Sequence, residues 1–369
     1  MNTTEYALLE CLRYIKNSKP GEKKAPPHCD AQLLHKLMRK QGVELVLDHF
    51  VQMPRDIRII NQLEREAHEK AYATMYASVS PVFDRLKKDG VPYAVTKGLF
   101  LAAKVYPRVG DRKFGDIDIL IDEMNLPSLV DALHLEGFRQ GRFDKEKRAI
   151  KPIDRHEELF FLTYSHQTAT FRKVVEGLYM HYMNVDINRH ILWGECKDRY
   201  SAISIKDFLS HSRPFSFAGT SFPVLSDEFG FIHIALHLYN DLNSLSILHT
   251  DKSYNLRGFT DIYLMVRNLP LNWKKIQFYC RVNELEQYVY FVLSLTAQVF
   301  EDGTLLTLME KPAIYNDTFE HTFGLSDDER KQWNHSLWER IFCPNKKDML
   351  SCYLTDRDMQ KITYNSRFV

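Results

Sequence analysis

The residues best placed to do chemistry are Asp116 and Asp118, in the segment GDIDILID, where aspartates alternate with isoleucines. Because successive side chains of a β-strand point to opposite faces, the pattern predicts a strand with isoleucines on one face and aspartates on the other. The two Cα atoms would lie about 6.5–7 Å apart, at roughly 3.3 Å per residue. Carboxylates at this spacing can reach two divalent ions about 3.5–4 Å apart, which clamp the phosphates of a nucleotide. The pattern therefore predicts metal-dependent phosphate chemistry.

A two-ion site usually needs a third carboxylate, and Asp186 in the segment MNVDINRH is the best candidate. Val185 and Ile187 would face the core, which leaves Asp186 and Asn188 on the opposite face of a strand. The alternative is that Asp186 is an ordinary solvent-facing strand residue. Asp122 shares the face of Asp116 and is interpreted as a residue at the strand end.

Lys97 and Gly98 stand where the predicted strand VPYAV turns into the predicted helix GLFLAAKVY. Glycine has no Cβ to block an approaching phosphate, and the amides at a helix N-terminus face an anion. Lys97 could add a positive charge. Arg112 and Lys113, together with Arg108, make the following loop YPRVGDRKFG basic. These residues are candidate phosphate ligands, although the loop residues could equally form a solvated surface.

The elements that must position these residues follow from the periodicity of the sequence. We predict an N-terminal helical region at 1–90, a mixed α/β core at 91–200, a C-terminal helical region at 201–345 and a tail at 346–369. The predicted fold class is α+β, a small mixed β-sheet core flanked by N-terminal and C-terminal α-helical regions. The tail, which has few apolar residues, is either poorly ordered or a segment that docks a partner.

Individual elements can also be assigned. A long helix should run from residue 54 towards Gly90, with a kink near Pro81. Besides VPYAV and GDIDILID, strands are predicted at ELFFLTY and LYMHYMNVDINRHI. Helices are predicted at LPSLVDALHLEG and again over residues 327–343.

Composition narrows the class of protein. The 369 residues are 44% hydrophobic, which suffices for one large core or two moderate ones. With 49 basic and 48 acidic residues, the chain lacks the basic surplus that non-specific nucleic-acid binding usually needs. The six cysteines form no C-x-x-C pair, as is typical of reduced thiols in a cytoplasmic protein. No leader peptide and no run of 18 apolar residues is visible, so we expect a cytoplasmic protein without a membrane span.

Two further pairs of residues could belong to a functional site. His233 and His237 share a helix face, but the zinc-protease motif needs Glu after the first histidine, where this chain has Ile234. They could instead line an acceptor cleft or simply pack. Arg257 and Asp261, one helical turn apart, could pair with each other or contact a substrate. The chain has no P-loop, nucleophile-elbow or Rossmann motif.

The pattern K-G-x-x-L-A-x-x-x-Y-P followed by R-x-x-G-D-I-D-I-L-I resembles the uncharacterised-nucleotidyltransferase family of the polymerase-β-type superfamily. The likeness is close over about 30 residues and looser in helical flanks such as LRGFTDIYLMV. It implies a minimal nucleotidyltransferase fold with Mg²⁺ on Asp116 and Asp118 and with Asp186 as the third acid. The common superfamily turn is Gly-Ser, whereas this chain has Lys97-Gly98, as in the family. Lys97 and backbone amides must then replace the serine hydroxyl.

The function implied is transfer of an NMP from an NTP, with ATP the favoured donor, to a small molecule, peptide or protein side chain, with release of pyrophosphate. Asp186 would act as a base or as a metal ligand. The alternative is a non-catalytic scaffold of the same fold that binds a nucleotide or a protein partner. A distance above about 8 Å between Asp186 and the Asp116/Asp118 pair would favour the scaffold. Transfer to tRNA ends is disfavoured by the near-neutral charge.

Overall fold

The chain divides into two compact units in a computed structural model. The helical unit comprises Met1–Gln62, Val105–Pro107 and Phe231–Val369, and the sheet unit comprises Leu63–Lys104 and Arg108–Gly230. The sheet unit thus begins before and ends after the predicted core of residues 91–200. The structure describes residues 1–177, 179–193, 203–250, 253–326 and 328–365.

An eight-stranded mixed sheet forms the centre of the sheet unit, with strand order β4-β3-β5-β6-β2-β1-β8-β7. The pairs β2/β6 and β1/β8 are parallel, and all other neighbouring strands are antiparallel. This confirms the predicted α+β class with a mixed sheet. The strands are β1 (Tyr93–Thr96), β2 (Asp116–Ile121), β3 (Arg139–Asp144), β4 (Ala149–Pro152), β5 (Phe171–Val174), β6 (Tyr182–Asn188), β7 (Ser212–Phe217) and β8 (Thr220–Leu225).

The helix α4 (Arg55–Lys88) runs through Pro81 and contributes its residues from Leu63 onward to the sheet unit. Its Phe83 ring stacks on Tyr93 of β1 at 5.5 Å and lies 5.4 Å from Phe222 of β8. Burying such a ring contributes about 1.5–3 kcal/mol. The helix ends as predicted, because Gly90 takes a φ of +66° and the Val91 amide bonds to the Leu86 carbonyl, which makes a Schellman motif. The other helices of this unit are α5 (Gly98–Lys104), α6 (Leu126–Leu135), α7 (Arg155–Tyr164) and α8 (Ile205–Ser210).

One predicted strand is wrong. The segment ELFFLTY lies in helix α7, whose N-terminal amides His156 and Glu157 donate hydrogen bonds to the Asp154 side chain. Asp154 therefore caps the helix, and the acidic first turn adds a favourable interaction with the helix dipole. The predicted strand LYMHYMNVDINRHI is confirmed in part, as β6, while Leu178 at its start lies outside the described residues.

A second correction concerns the region predicted as helical from residue 201 onward. The hairpin of β7 and β8 lies within it and pairs Phe217 with Thr220 across a two-residue turn. Ala218 and Gly219 both have positive φ, at +49° and +81°, as a type I′ turn requires. Gly219 adopts this region freely, but Ala218 does so against its usual preference.

The helical unit is built from both ends of the chain. Helix α13 (Glu286–Phe300) is its most buried long element and contacts α1 (Thr3–Asn17) and α11 (Leu256–Asn268). Tyr263 of α11 stacks on Phe300 at 3.9 Å. The remaining elements are α2 (Ala31–Gln41), α3 (Glu44–Leu47), α9 (Asp227–Asn243, from Phe231 onward), α10 (Leu245–Leu248), α12 (Trp273–Val282), α14 (Asp317–Glu320), α15 (Leu337–Phe342), α16 (Lys346–Ser351), α17 (Asp356–Asn365) and the strand pair β9 (Thr322–Phe323) and β10 (Lys331–Gln332).

The C-terminal segment differs from the predicted tail. Its described residues form α16 and α17, and Leu350 and Ile362 are buried at 1% and 3% exposure. Poor order is therefore wrong for this part, while residues 366–369 lie outside the described residues. The helix predicted over 327–343 is confined to α15, and Asp327 likewise lies outside the described residues. Within the described ranges, no helix combines the length and apolarity needed to cross a membrane.

Candidate active site

Two adjacent parallel strands bring the predicted carboxylates together. Asp118 on β2 is the register partner of Asp186 on the parallel strand β6, and Asp116 is the partner of Asn184. Neighbouring strands lie about 4.7–4.9 Å apart, so Asp118 and Asp186 stand side by side. Asp116 shares their face because it lies two residues before Asp118. Asp186 therefore lies within the limit of about 8 Å from the Asp116/Asp118 pair that a shared two-ion site allows, while its role as a third acid stays a prediction.

The opposite face of β2 explains why the strand forms there. Ile117, Ile119 and Ile121 are buried at 1% exposure or less, as the alternation predicts. A one-residue slip in register would turn these isoleucines to the aspartate face. Burial of the isoleucines therefore fixes which way the carboxylates point.

The crowded carboxylates disfavour one another's ionisation. Burial, with the charges of Asp118 and Asp186, raises the pKa of Asp116 to about 7, against the opposing charges of Lys97 and Arg112. Burial and the charge of Asp118 also raise the pKa of Asp186, while a hydrogen bond from Thr170 and the charges of Lys97 and Arg172 lower it. Burial is the largest cause of both raised pKa values, and the neighbouring carboxylates add to it.

Lys97 belongs to this cluster. Its Nζ lies 2.8 Å from Oδ1 of Asp118, and the two side chains are 12% and 7% exposed. Burial lowers the pKa of Lys97, but the charges of Asp118, Asp116 and Asp186 outweigh burial and leave the pKa raised. The sequence placed Lys97 near phosphates, whereas the structure places its ammonium on a carboxylate; the phosphate role stays a prediction.

Gly98 is the first residue of α5, and the packing of a neighbouring aromatic ring leaves no space for a Cβ at this position. A Cβ built there would lie 2.9 Å from the ring of Phe114, closer than real Cβ atoms approach. Phe114 in turn stacks on Tyr72 of α4 with ring centroids 3.7 Å apart. The structure thus gives this glycine a packing reason, in addition to the predicted approach of a phosphate.

Helix α4 holds the basic loop that carries Arg112 and Lys113. The Tyr72 hydroxyl donates to the Arg112 carbonyl at 3.0 Å and accepts from the Phe114 amide at 3.1 Å. Arg65 forms a buried ion pair with Asp111. Arg112 is close enough to Asp116 to lower its pKa, and Lys113 is exposed. The loop is therefore fixed by α4 beside the aspartates.

Three buried oxygens on β6 and β1, the strands on either side of β2, have no hydrogen-bond partner within the described structure. They are Oδ1 of Asp186, Oδ1 of Asn184 and Oγ1 of Thr96, and Thr96 is the register partner of Asp118 on β1. Buried polar atoms are normally satisfied, so three unpaired oxygens on the two strands that flank β2 indicate room for a ligand. Oxygen atoms would accept from a donor or bind a cation.

The donor chemistry fits Mg²⁺, because carboxylate oxygens are the hard ligands that this ion prefers. Across the part of the chain that the structure describes, no group of three His, Cys, Asp or Glu side chains is arranged to hold a metal ion. In the aspartate cluster the Lys97 ammonium contacts Asp118. Asp116, Asp118 and Asp186 offer carboxylate oxygens on one face of the sheet, but their side chains are not arranged around a metal position.

Other residues of the site were not assigned from sequence. Asn188 donates to Asp118 at 3.3 Å, and Asn184 flanks Asp186 on the same strand face. Both lie two residues from Asp186; the alternation of MNVDINRH predicted the face of Asn188 and could have found Asn184 as well. Arg172 and the buried Tyr76, whose pKa burial and the charges of Asp118 and Asp116 raise, are distant in sequence and gave no signal.

A cavity of about 300 Å³ lies where β2 and β6 end and contains none of the predicted site residues. Asp122 borders it and, as expected of a strand-end residue, accepts a hydrogen bond from the Met124 amide at 2.9 Å. The cavity is lined by Asp122, Glu123, Arg189, His190, Ile191, Leu192, Ile203, Ser204, Ile205 and Lys206.

The histidine pair His233 and His237 lies in the helical unit, as does the Arg257/Asp261 pair. Nδ1 of His237 is 3.6 Å from Asp241, one turn further along α9, and His233 is buried. Asp261 accepts a hydrogen bond from the Tyr106 hydroxyl at 2.6 Å. Their predicted roles toward a substrate stay predictions.

The match to a protein-family model agrees with the motif. Residues 29–301 match the protein family described as uncharacterised nucleotidyltransferase, a range that includes the whole sheet unit. No curated protein matches the chain. Among solved structures, the chain is similar to an antigenic nucleotidyltransferase-like protein from Paracoccidioides brasiliensis, at 12% identity and a TM-score of 0.34, over 65% of this chain and 94% of that one.

Proposed function

The chain belongs to the uncharacterised nucleotidyltransferase family, and we propose that it transfers an NMP from an NTP to a non-templated acceptor and releases pyrophosphate. ATP is the favoured donor, and the acceptor is a hydroxyl of a small molecule, peptide or protein. The observation that carries this proposal is the register of β2 and β6, which sets Asp118 beside Asp186 on the face that carries Asp116. A cytoplasmic location is part of the same proposal.

The three aspartates would hold Mg²⁺, which when bound neutralises the phosphates and stabilises the departing pyrophosphate. The acceptor oxygen attacks the α-phosphorus in line, and the bond from that phosphorus to the β-phosphate bridging oxygen breaks. The proton of the acceptor hydroxyl passes to Asp186. A carboxylate whose pKa is raised by burial is a stronger base than a solvated one, which suits this role at neutral pH.

Positive charge for the triphosphate would come from Lys97, Arg112 and Lys113, with Gly98 leaving space at the turn. Arg112 supports this assignment best, because Tyr72 holds its backbone and its charge already acts on Asp116. Fixed positive charges beside transferring phosphates stabilise the transition state without reorganisation.

A thermal-shift screen of the four NTPs, with and without Mg²⁺, tests binding. An NTP at about 100 times its Kd stabilises the fold by roughly 2.7 kcal/mol. We expect a Mg²⁺-dependent shift with one NTP that the Asp116→Asn/Asp118→Asn variant loses. Asp122→Asn is the matched control, because it makes the same change directly after β2, outside the cluster, and leaves a side chain that can still cap.

Transfer itself is tested with NTP labelled at the α- or the γ-phosphate. NMP transfer puts the α-label on the acceptor and the γ-label in pyrophosphate. Binding without transfer to any acceptor class would favour the non-catalytic scaffold, and no shift with any NTP would reject the nucleotide site.

A further inference from the structure

The contact between Lys97 and Asp118 places a cation where the proposed function needs a metal. The Lys97 ammonium lies 2.8 Å from Oδ1 of Asp118, and both side chains are largely buried. Asp116 and Asp186 also act on Lys97 through their charges. The Lys97 charge thus acts on all three carboxylates, although Arg112 also acts on Asp116 and Arg172 on Asp186. Oδ1 of Asp186 has no hydrogen-bond partner.

The backbone indicates that this contact is held in place. Lys97 has a φ of +52°, in the left-handed region that residues with a Cβ rarely adopt. It lies in the turn between Thr96, the register partner of Asp118, and Gly98, which packs against Phe114. The turn therefore directs the start of the Lys97 side chain to the aspartate face, whereas its four-carbon stem leaves the ammonium free to change partner.

We propose, on the premise of the transferase site above, that Lys97 is a displaceable counter-ion, which neutralises Asp118 while no divalent cation is bound and leaves it when the cation and nucleotide bind. Two cations at one carboxylate oxygen repel each other strongly in a buried site. Binding of the divalent cation and pairing of Lys97 with Asp118 therefore exclude each other. The released ammonium can reach the phosphates, so Lys97 contacts Asp118 before binding and the phosphates after it.

Exclusion of this kind has a measurable consequence in the absence of nucleotide. Coupling between two binding events commonly changes affinity by about 5- to 150-fold. Removing the Lys97 charge should therefore tighten binding of Mn²⁺, used as a spectroscopic substitute for Mg²⁺, within that range. Removing the Lys97 charge should also make the stability of the fold depend on the divalent cation, since no ammonium then lies among the three carboxylates.

The test compares wild type with Lys97→Met and Lys97→Arg, using electron paramagnetic resonance of free Mn²⁺ and melting in EDTA or excess Mg²⁺. Lys97→Met keeps the left-handed backbone occupied by a residue with a Cβ, so it removes the charge alone. We expect it to bind Mn²⁺ more tightly, to melt below wild type in EDTA and to recover with Mg²⁺. Lys97→Arg should resemble wild type. Lys104→Met is the matched control, because Lys104 pairs with Asp227 in the same unit, and should leave Mn²⁺ affinity unchanged.

The outcomes separate this inference from the proposed function. Equal Mn²⁺ affinity in wild type and Lys97→Met overturns the counter-ion role and leaves the transferase proposal standing. Absence of Mn²⁺ binding in both overturns the metal site and the inference with it. If Lys97→Met does not fold, NMR of the wild-type protein tests the proposal instead. The resonance of the protected Lys97 ammonium should disappear or shift when Mg²⁺ and a non-hydrolysable NTP are added. An unchanged resonance would refute the displacement.

Discussion

Asp116 carries a carboxyl group that resists ionisation in the folded protein. Burial, with the charges of Asp118 and Asp186, raises its pKa from 3.8 to about 7. Between those two values the folded state binds a proton that the unfolded chain has released, so stability falls as pH rises. The stability linked to this group is fully present below about pH 4 and is lost once the pH passes the folded-state pKa of about 7.

Asp116→Asn should therefore stabilise the protein at alkaline pH in the absence of divalent cations. The amide cannot ionise, so the variant avoids a cost on the order of a few kcal/mol at about pH 8, and the advantage should shrink towards about pH 5. Melting in EDTA at the two pH values, with Asp122→Asn as control, measures the difference. Equal melting of wild type and Asp116→Asn at both pH values would contradict the raised pKa.

At the scale of elements, helix α4 and the turn before α5 position the site. Gly98 lies against the Phe114 ring, Phe114 stacks on Tyr72, and the Tyr72 hydroxyl fixes the Arg112 carbonyl. A change at the start of α5 is thereby transmitted to the loop that ends at Asp116. Positioning here depends on packing between α4, α5 and the loop.

Gly98→Ala should destabilise the protein, because its Cβ would lie 2.9 Å from the Phe114 ring. Overpacking of this kind costs about 1–3 kcal/mol, which urea denaturation can measure. Gly115→Ala is the matched control in the same loop region, since nothing lies within 4 Å of its added Cβ. If the two variants unfold at the same urea concentration, the packing role of Gly98 is refuted.

The elements that could be predicted are those whose secondary structure follows from the residue pattern within the segment itself. The strict alternation around Asp116 and Asp186 predicted β2 and β6, because a one-residue slip would expose the isoleucines. The segment ELFFLTY misled the prediction, since its apolar run suits a strand while the cap at Asp154, outside the segment, selects a helix. The contact of Lys97 with Asp118 depends on the register between β1 and β2, which no local pattern of residues contains.

At the scale of the whole molecule, the helical unit joins residues from the two ends of the chain. Lys16 of α1 donates to the Glu301 carbonyl at 2.8 Å and lies 3.5 Å from Asp302, both just after α13. The C-terminal helix α17 contacts α10, and its Asp358 lies 2.9 Å from Lys331 of β10. The C-terminal segment is therefore part of the folded unit, although its polar composition resembles that of a tail.

Ile362→Ala tests whether that segment contributes to stability. Ile362 is buried at 3% exposure on α17, and truncation of a buried isoleucine costs about 2–5 kcal/mol through lost burial and the cavity left behind. Met359→Ala on the same helix is the control, since Met359 is 36% exposed and its loss should cost much less. Urea denaturation of the full chain should show a lower midpoint for Ile362→Ala than for Met359→Ala. Equal midpoints would mean that α17 does not stabilise the unit, because a helix anchored by one buried face cannot lose its central anchor without effect.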